Sequence, residues 1–296
     1  MAGPLTVLNH YGTADLTERV DQALKQAGLD AGGLTWSDLT PLDQFHVRGL
    51  VATKELAEGL SLEPGSTVID VGCGLGGPAR YLAATHGCRV TGIDLSRPFT
   101  DVARTLTEQV GLSASVTYRQ ADALDLPFPD HAFDHAWTQH AAMNISDKGR
   151  FYANIHRVLK PAGPLAIYDV VAGDAGPLIF PVPWARQPEI SFVMAMDTLR
   201  DVVTKAGFEK ISWVDKTAAA IEWLADQKAA RRSAVAASPL GIHVVMGPGF
   251  PEMAANLGRN LDVQRDHVLN CSTCIIRRER EVLKRLSATD SGPRIS

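Results

Sequence analysis

Hydrophobic positions change their period along the chain, and the changes divide it. From 16 to 28, Leu16, Val20, Leu24 and Ala27 recur at helical spacing, and Gly28 supplies a stop. A second helix is expected after Pro41, carrying Gln44, Phe45, His46 and Leu50, and the pattern continues over 51–60. Residues 1–60 thus read as an N-terminal helical cap. From Thr67 onward, short apolar runs alternate with amphipathic stretches. Strands are expected at 67–71, 89–94, 115–120, 133–137, 165–171, 210–214 and 267–277, and helices at 79–85, 99–110, 148–159, 198–206, 218–236 and 253–261. Alternation of this kind predicts an α/β domain over 61–280, with a parallel sheet covered by helices on both faces. Two insertions interrupt it. At 172–192, Pro177, Phe180, Pro181, Pro183 and Trp184 crowd together, and a proline-rich aromatic insertion after a strand is read as a lid. At 218–262 a long helix runs into a Gly/Pro-rich piece. Residues 287–296 are expected to form a disordered tail.

Composition narrows the function classes. The 296 residues suffice for one domain with a cap. Hydrophobic residues make up 45% and charged residues 21%, and no apolar run approaches the roughly 18 residues of a bilayer span. The first residues lack the basic and apolar segments of a secretory leader, so a cytoplasmic location is expected. A net charge of −4 removes the electrostatic case for nucleic acid. Cys73, Cys88, Cys271 and Cys274 are too few and too scattered for a disulfide framework. Cys271 and Cys274 have the spacing of half a zinc site, but there is no second pair and a strand would point them to opposite faces, so no metal is expected. The expected partner is a small molecule, with a homodimer admitted and neither nucleic acid nor membrane.

The most informative stretch is Val68-Ile69-Asp70-Val71-Gly72-Cys73-Gly74-Leu75-Gly76-Gly77, a buried-strand pattern running into a glycine turn. Pro78 suits the first turn of a following helix. Gly72, Gly74 and Gly77 satisfy G-x-G-x-x-G, which points to an adenosine cofactor, and Asp94 at the end of the second strand suits a ribose. A nicotinamide enzyme normally has an apolar residue close before its first glycine. Here Asp70 stands there, which suits a cofactor carrying an ammonium group.

The run Asp70 to Gly77 resembles the first motif of class I S-adenosylmethionine-dependent methyltransferases. Ile93-Asp94-Leu95-Ser96 is similar to the family's ribose motif and Ala121-Asp122-Ala123-Leu124-Asp125-Leu126-Pro127-Phe128 to its adenine-side motif. Phe133-Asp134 and Leu159-Lys160-Pro161-Ala162-Gly163 resemble the two later motifs, so the likeness covers about 67–215. Ala162 departs from the family's usual glycine, in a turn. The resemblance implies a Rossmann-like fold: a seven-stranded, mostly parallel sheet with an antiparallel last strand and a helical cap. It implies S-adenosylmethionine as cofactor, with Asp70, Gly72 and Gly74 at the methionine end, Asp94 and Leu95 at the ribose and adenine, and Asp122, Ala123 and Leu124 at the adenine edge.

A finer resemblance, to sarcosine/dimethylglycine N-methyltransferases and related small-molecule enzymes, rests on Asp43-Gln44-Phe45-His46, Gly74 to Arg80, Gln139 to Ile145 and Phe180-Pro181-Val182-Pro183-Trp184. It adds Tyr11, Gln44 and Gln139 to the cofactor contacts. His140, Gln139 and His46 are the candidate catalytic residues, because a histidine can take a proton from an acceptor at neutral pH. Trp137, Met143, Phe180 and Trp184 are the candidate acceptor walls. An amine nitrogen is the expected acceptor, with O- or C-methylation as alternative. A nicotinamide oxidoreductase and a silent cofactor-binding subunit are the rivals from other classes.

Overall fold

Strand β1, Thr67–Val71, lies at the centre of the molecule and is buried over four of its five residues. In the computed structural model, which describes residues 15–29, 32–174, 176–233, 238–261 and 269–278, it is flanked by two parallel neighbours. These are β2, Arg89–Asp94, and β4, His135–Gln139. With β3 (Val116–Gln120), β5 (Pro164–Ala172), β6 (Phe208–Asp215) and β7 (Leu269–Arg278), they make a seven-stranded sheet of order β3-β2-β1-β4-β5-β7-β6. Only β7 runs against the others, inserted between β5 and β6. The fold is the expected one. Strand order reverses between β1 and β4, and the crevice this leaves at their carboxyl ends is where α/β sheets hold ligands.

Alternate side chains of β1 feed two apolar cores, Val68 on one face and Ile69 and Val71 on the other. By the same period Asp70 shares the face of Val68, so a carboxylate occupies an otherwise apolar position. Helices cover both faces. The numbering in chain order is α1 Leu16–Gln26, α2 Thr40–Asp43, α3 Gly49–Glu58, α4 Gly77–His86, α5 Arg97–Gln109 and α6 Lys148–Val158, then α7 Met196–Lys205, α8 Thr217–Ser233, α9 Ile242–Met246 and α10 Phe250–Asn260. None is long and apolar enough to cross a membrane, among the described residues.

Three sequence expectations are corrected. The helix expected to carry Gln44, Phe45 and His46 is interrupted: α2 ends at Asp43, and α3 starts only at Gly49, after Arg48 has taken a left-handed φ of 67°. The break has a buried cause. Arg80, on α4, is 0% exposed, and its Nη2 donates to Asp43 Oδ2 at 2.8 Å, which fixes the end of α2 against the glycine turn. Strand β4 extends two residues past Trp137, because Thr138 and Gln139 are polar yet buried. The Gly/Pro-rich piece holds an unanticipated helix, α9, whose Val245 packs with Leu16, Val20 and Leu24 of α1. The expected tail at 287–296 and Tyr11 lie outside the described residues.

Candidate active site

The turn after β1 brings backbone against backbone. Gly72 and Cys73 donate their N–H groups to Ile93 O, both at 2.9 Å. Gly72 has φ 81°, and a Cβ there would lie 2.5 Å from Ala141 Cβ, so only glycine lets the loop after β4 close over the turn. A Cβ on Gly77 would meet Asp43 O at 2.5 Å, so the first turn of α4 is equally committed to contact with the cap.

Two carboxylates flank this turn. Asp94 spends one oxygen on Gly74 N–H (3.0 Å) and the other on Ser96 N–H (2.9 Å). Asp70 is 2% exposed, and its Oδ2 has no hydrogen-bond partner among the described residues. Burial, reinforced by the nearby Asp94, raises the Asp70 carboxyl to about 8. A native structure rarely leaves such an atom orphaned, and a cationic group such as an ammonium would supply what is missing. Asp122 turns the chain by accepting from Leu124 N–H at 2.8 Å.

Asp70, Gly72, Gly74, Asp94, Leu95, Asp122, Ala123 and Leu124 all line one cavity of about 920 Å³. Its volume lies at the upper end of the roughly 300–1,000 Å³ usual for small-molecule sites. His46, Gln139, His140, Met143 and Trp184 line it too. Three expected site residues do not. Gln44 is 3% exposed and turned into the cap, where its Oε1 accepts from Thr53 Oγ1 at 2.7 Å. Trp137, 0% exposed, lies behind the wall and donates from Nε1 to Gln139 Oε1 at 2.9 Å. Phe180 packs against the core on the Val68 face of the sheet and is not part of the cavity lining.

The Trp137 indole has a consequence at the cavity wall. An indole N–H can only donate, so it fixes the orientation of the Gln139 amide with the oxygen inward. Gln139 Nε2, buried and without a partner among the described residues, is left as a donor. His140 follows at a left-handed φ of 50°, held by its own N–H to Tyr168 O at 2.8 Å, and its Nε2 is likewise buried and unpartnered. Burial and the neighbouring His46 ring, 6.0 Å away between centroids, hold His140 well below the ordinary histidine value, so it is neutral. His46 is lowered to about 4 by burial. Its Nε2 lies 3.0 Å from Gly49 O, an acceptor only, which assigns the proton to Nε2.

Two residues that sequence reasoning missed hold this corner. Thr53, 0% exposed, reaches Gln44, His46 and Gln139 with one hydroxyl. Lys148 donates to the carbonyls of Ala142 and Ile145, tying down the loop that carries His140. Burial lowers the Lys148 amine to about 8 and raises the Asp169 carboxyl to about 7, each opposed by the other's charge. Neither stands out in the pattern: Thr53 acts through Gln139, 86 positions away, and Lys148 acts on backbone carbonyls three and six positions before it. The other missed walls come from α8 and α10, among them Trp223 and Phe250.

The family follows from comparison with known proteins. A family model described as a methyltransferase domain matches residues 69–167. An O-methyltransferase of Pyrenophora dematioidea is 32% identical over 182 residues, 61% of this chain and 68% of that protein. The chain belongs to the class I S-adenosylmethionine-dependent methyltransferases. Methyltransferase GfsG of Streptomyces halstedii is 38% identical over 136 residues, 46% of this chain, and the match spans only 49% of that relative. Among solved structures, the [4+2]-cyclase SpnF superposes with a TM-score of 0.63 at 26% identity, covering 90% of this chain and 95% of its own. Relatives named as O-, N- and sterol C-methyltransferases all occur, so likeness alone does not choose the acceptor atom.

Proposed function

We propose that this protein transfers a methyl group from S-adenosylmethionine to a hydroxyl oxygen of a small molecule. The observation that carries the cofactor half is the orphaned Asp70 Oδ2 beside a glycine turn in which Gly74 faces open space. Asp70 would hold the ammonium, Gly72 and Gly74 the methionine backbone, Asp94 and Leu95 the ribose and adenine, and Asp122, Ala123 and Leu124 the adenine edge. When bound, the cofactor supplies an electrophilic methyl group on a sulfonium.

The chain's own residues orient the acceptor and move its proton. Gln139 Nε2–H donates to the acceptor oxygen, and the neutral His140 Nε2 takes the proton from it. An oxygen has two lone pairs, one to accept from Gln139 and one for the methyl group. A neutral amine has a single lone pair, and a donor aimed at it would compete with the reaction. This turns the preference from the amine expected on subgroup resemblance to a hydroxyl. The apolar surroundings exclude water and keep both histidines neutral.

The test is calorimetry with S-adenosylhomocysteine together with transfer of labelled methyl to phenols, alcohols and amines. Tight S-adenosylhomocysteine binding and label on oxygen are expected; NAD binding in its place overturns the cofactor assignment. The likeness to a [4+2]-cyclase supports a second reading, in which the cofactor is bound but the pocket promotes a cycloaddition without methyl transfer. That reading predicts S-adenosylhomocysteine binding with no labelled product.

A further inference from the structure

The acceptor end of the cavity differs in character from the cofactor end. The four acidic residues on the lining, Asp43, Asp70, Asp94 and Asp122, come from the cap, the strand ends and the turn after β3. Much of the remaining lining is apolar, with Phe45, Met143, Trp184, Trp223, Phe250 and Leu257 contributed by five separate segments. Trp184, Met143, Leu257 and Phe250 are 1%, 3%, 6% and 8% exposed, so these are built walls and not loose surface side chains. The basic residues on the lining, Lys228 and Arg232 on α8 and Arg259 on α10, are all exposed, which puts them where the cavity meets solvent.

We infer that the acceptor is a bulky, largely apolar molecule whose reacting hydroxyl reaches Gln139 and His140 and whose other end carries an anionic group held by Lys228, Arg232 and Arg259. This rests on the proposed methyl transfer and names its substrate class. Apolar surface removed from water is worth about 25 cal/mol per Å², so aromatic and aliphatic walls reward a ligand that covers them. A glycine-derived amine covers almost none of them. Its carboxylate would also find no cation beside the reacting end, since the three cations stand at the mouth. Cations clustered at a mouth walled by apolar side chains attract an anion and orient the molecule that bears it.

The geometry of the wall supplies the reporter, because Trp184 and Trp223 both line the cavity. Two probes with the same kind of apolar body are titrated against the cofactor-saturated protein by tryptophan quenching: 1-anilinonaphthalene-8-sulfonate, which is anionic, and N-phenyl-1-naphthylamine, which is neutral. Both are expected to bind, the sulfonate at least tenfold more tightly at low salt, with the preference shrinking as salt is added. The triple variant Lys228→Glu, Arg232→Glu, Arg259→Glu alters exposed positions and should abolish that preference, changing the neutral probe's affinity less than twofold. Sarcosine and dimethylglycine should displace neither probe. Equal affinity for the two probes, or a preference untouched by the triple variant, overturns the inference, as does failure of both to bind. Calorimetric S-adenosylhomocysteine binding is measured on the same samples. If it persists while the probe result fails, the substrate class is wrong and the cofactor assignment stands; if it is lost as well, the proposed function itself fails.

Discussion

Asp70→Asn should move cofactor binding and fold stability in opposite directions, which separates a ligand-holding role from a structural one. The carboxyl is buried, one oxygen is unpartnered, and its pKa is raised from 3.8 to about 8 by burial and by Asp94. Each tenfold change in proton affinity is about 1.4 kcal/mol, so ionising Asp70 in the free folded protein costs roughly 6 kcal/mol relative to the unfolded chain. Because the folded value lies above the unfolded one, the folded protein holds a proton that the unfolded chain has already released. The group's contribution is therefore fully present below the ordinary carboxylate range and is lost progressively as pH rises to about 8. A neutral amide escapes that loss. At roughly 2–4 °C per kcal/mol for a domain of this size, the variant should melt several degrees above wild type at pH 8–9, and the margin should shrink towards pH 5. Binding goes the other way. Leaving an ammonium buried without its carboxylate costs about 3–5 kcal/mol, so S-adenosylhomocysteine should bind more than about 100-fold more weakly. Melting curves from pH 5 to 9 and calorimetry at pH 8 read both effects. Wild-type affinity, or a melting margin independent of pH, would refute the assignment of Asp70 as the unpaired partner of a cofactor ammonium.

Four further outcomes are expected. Wild-type affinity for S-adenosylhomocysteine should rise from pH 6 to pH 8, by at most about tenfold per pH unit, because the ammonium requires the ionised Asp70; a flat calorimetric profile contradicts this. His140→Ala should lower kcat by about 100-fold or more while cofactor affinity stays within twofold, as expected for a proton acceptor that does not hold the cofactor; unchanged turnover removes it from the mechanism. Arg80→Met leaves Asp43 buried and uncompensated, with a loss of about 3–5 kcal/mol in denaturant unfolding; a loss below about 1 kcal/mol means that the pair does not fix the cap. Ala162, at φ 62°, pays the left-handed strain that glycine avoids, so Ala162→Gly should raise stability by about 0.5–1 kcal/mol; a lower melting temperature speaks against it.

The sheet was legible because its strands are written as β-branched apolar runs, and the cofactor end because a glycine turn and two aspartates recur at fixed places along such strands. Where reading failed, the cause was contact between distant residues. Periodicity carries a helix through Gln44 and His46, but the helix stops at Asp43, which Arg80, 37 positions away, holds against the glycine turn. The end of β4 was placed at Trp137 because Thr138 and Gln139 are polar, and polar residues in a fully buried strand look like a loop until their partners are known. Trp137 and Phe180 are expected on the acceptor wall because aromatics suit one; Trp137 shares the face of Gln139 but lies one pleat deeper, behind it, and Phe180 is turned away by the packing of the insertion. In the same insertion, Asn260 exchanges hydrogen bonds with Ile179, and Asn256 donates to Pro181 O at 3.0 Å. Those two asparagines join the segments 172–192 and 218–262 into one roof, a partnership invisible to local pattern.

Transfer of labelled methyl from S-adenosylmethionine to a bulky aromatic alcohol bearing a carboxylate, followed by mass spectrometry of the product, tests the central claim most directly. The predicted result is one methyl ether per S-adenosylhomocysteine formed, abolished in Asp70→Asn at limiting cofactor and strongly reduced in His140→Ala. Cofactor binding with no label on oxygen across hydroxylated acceptors of this kind, or label on nitrogen from a small amine, would contradict it.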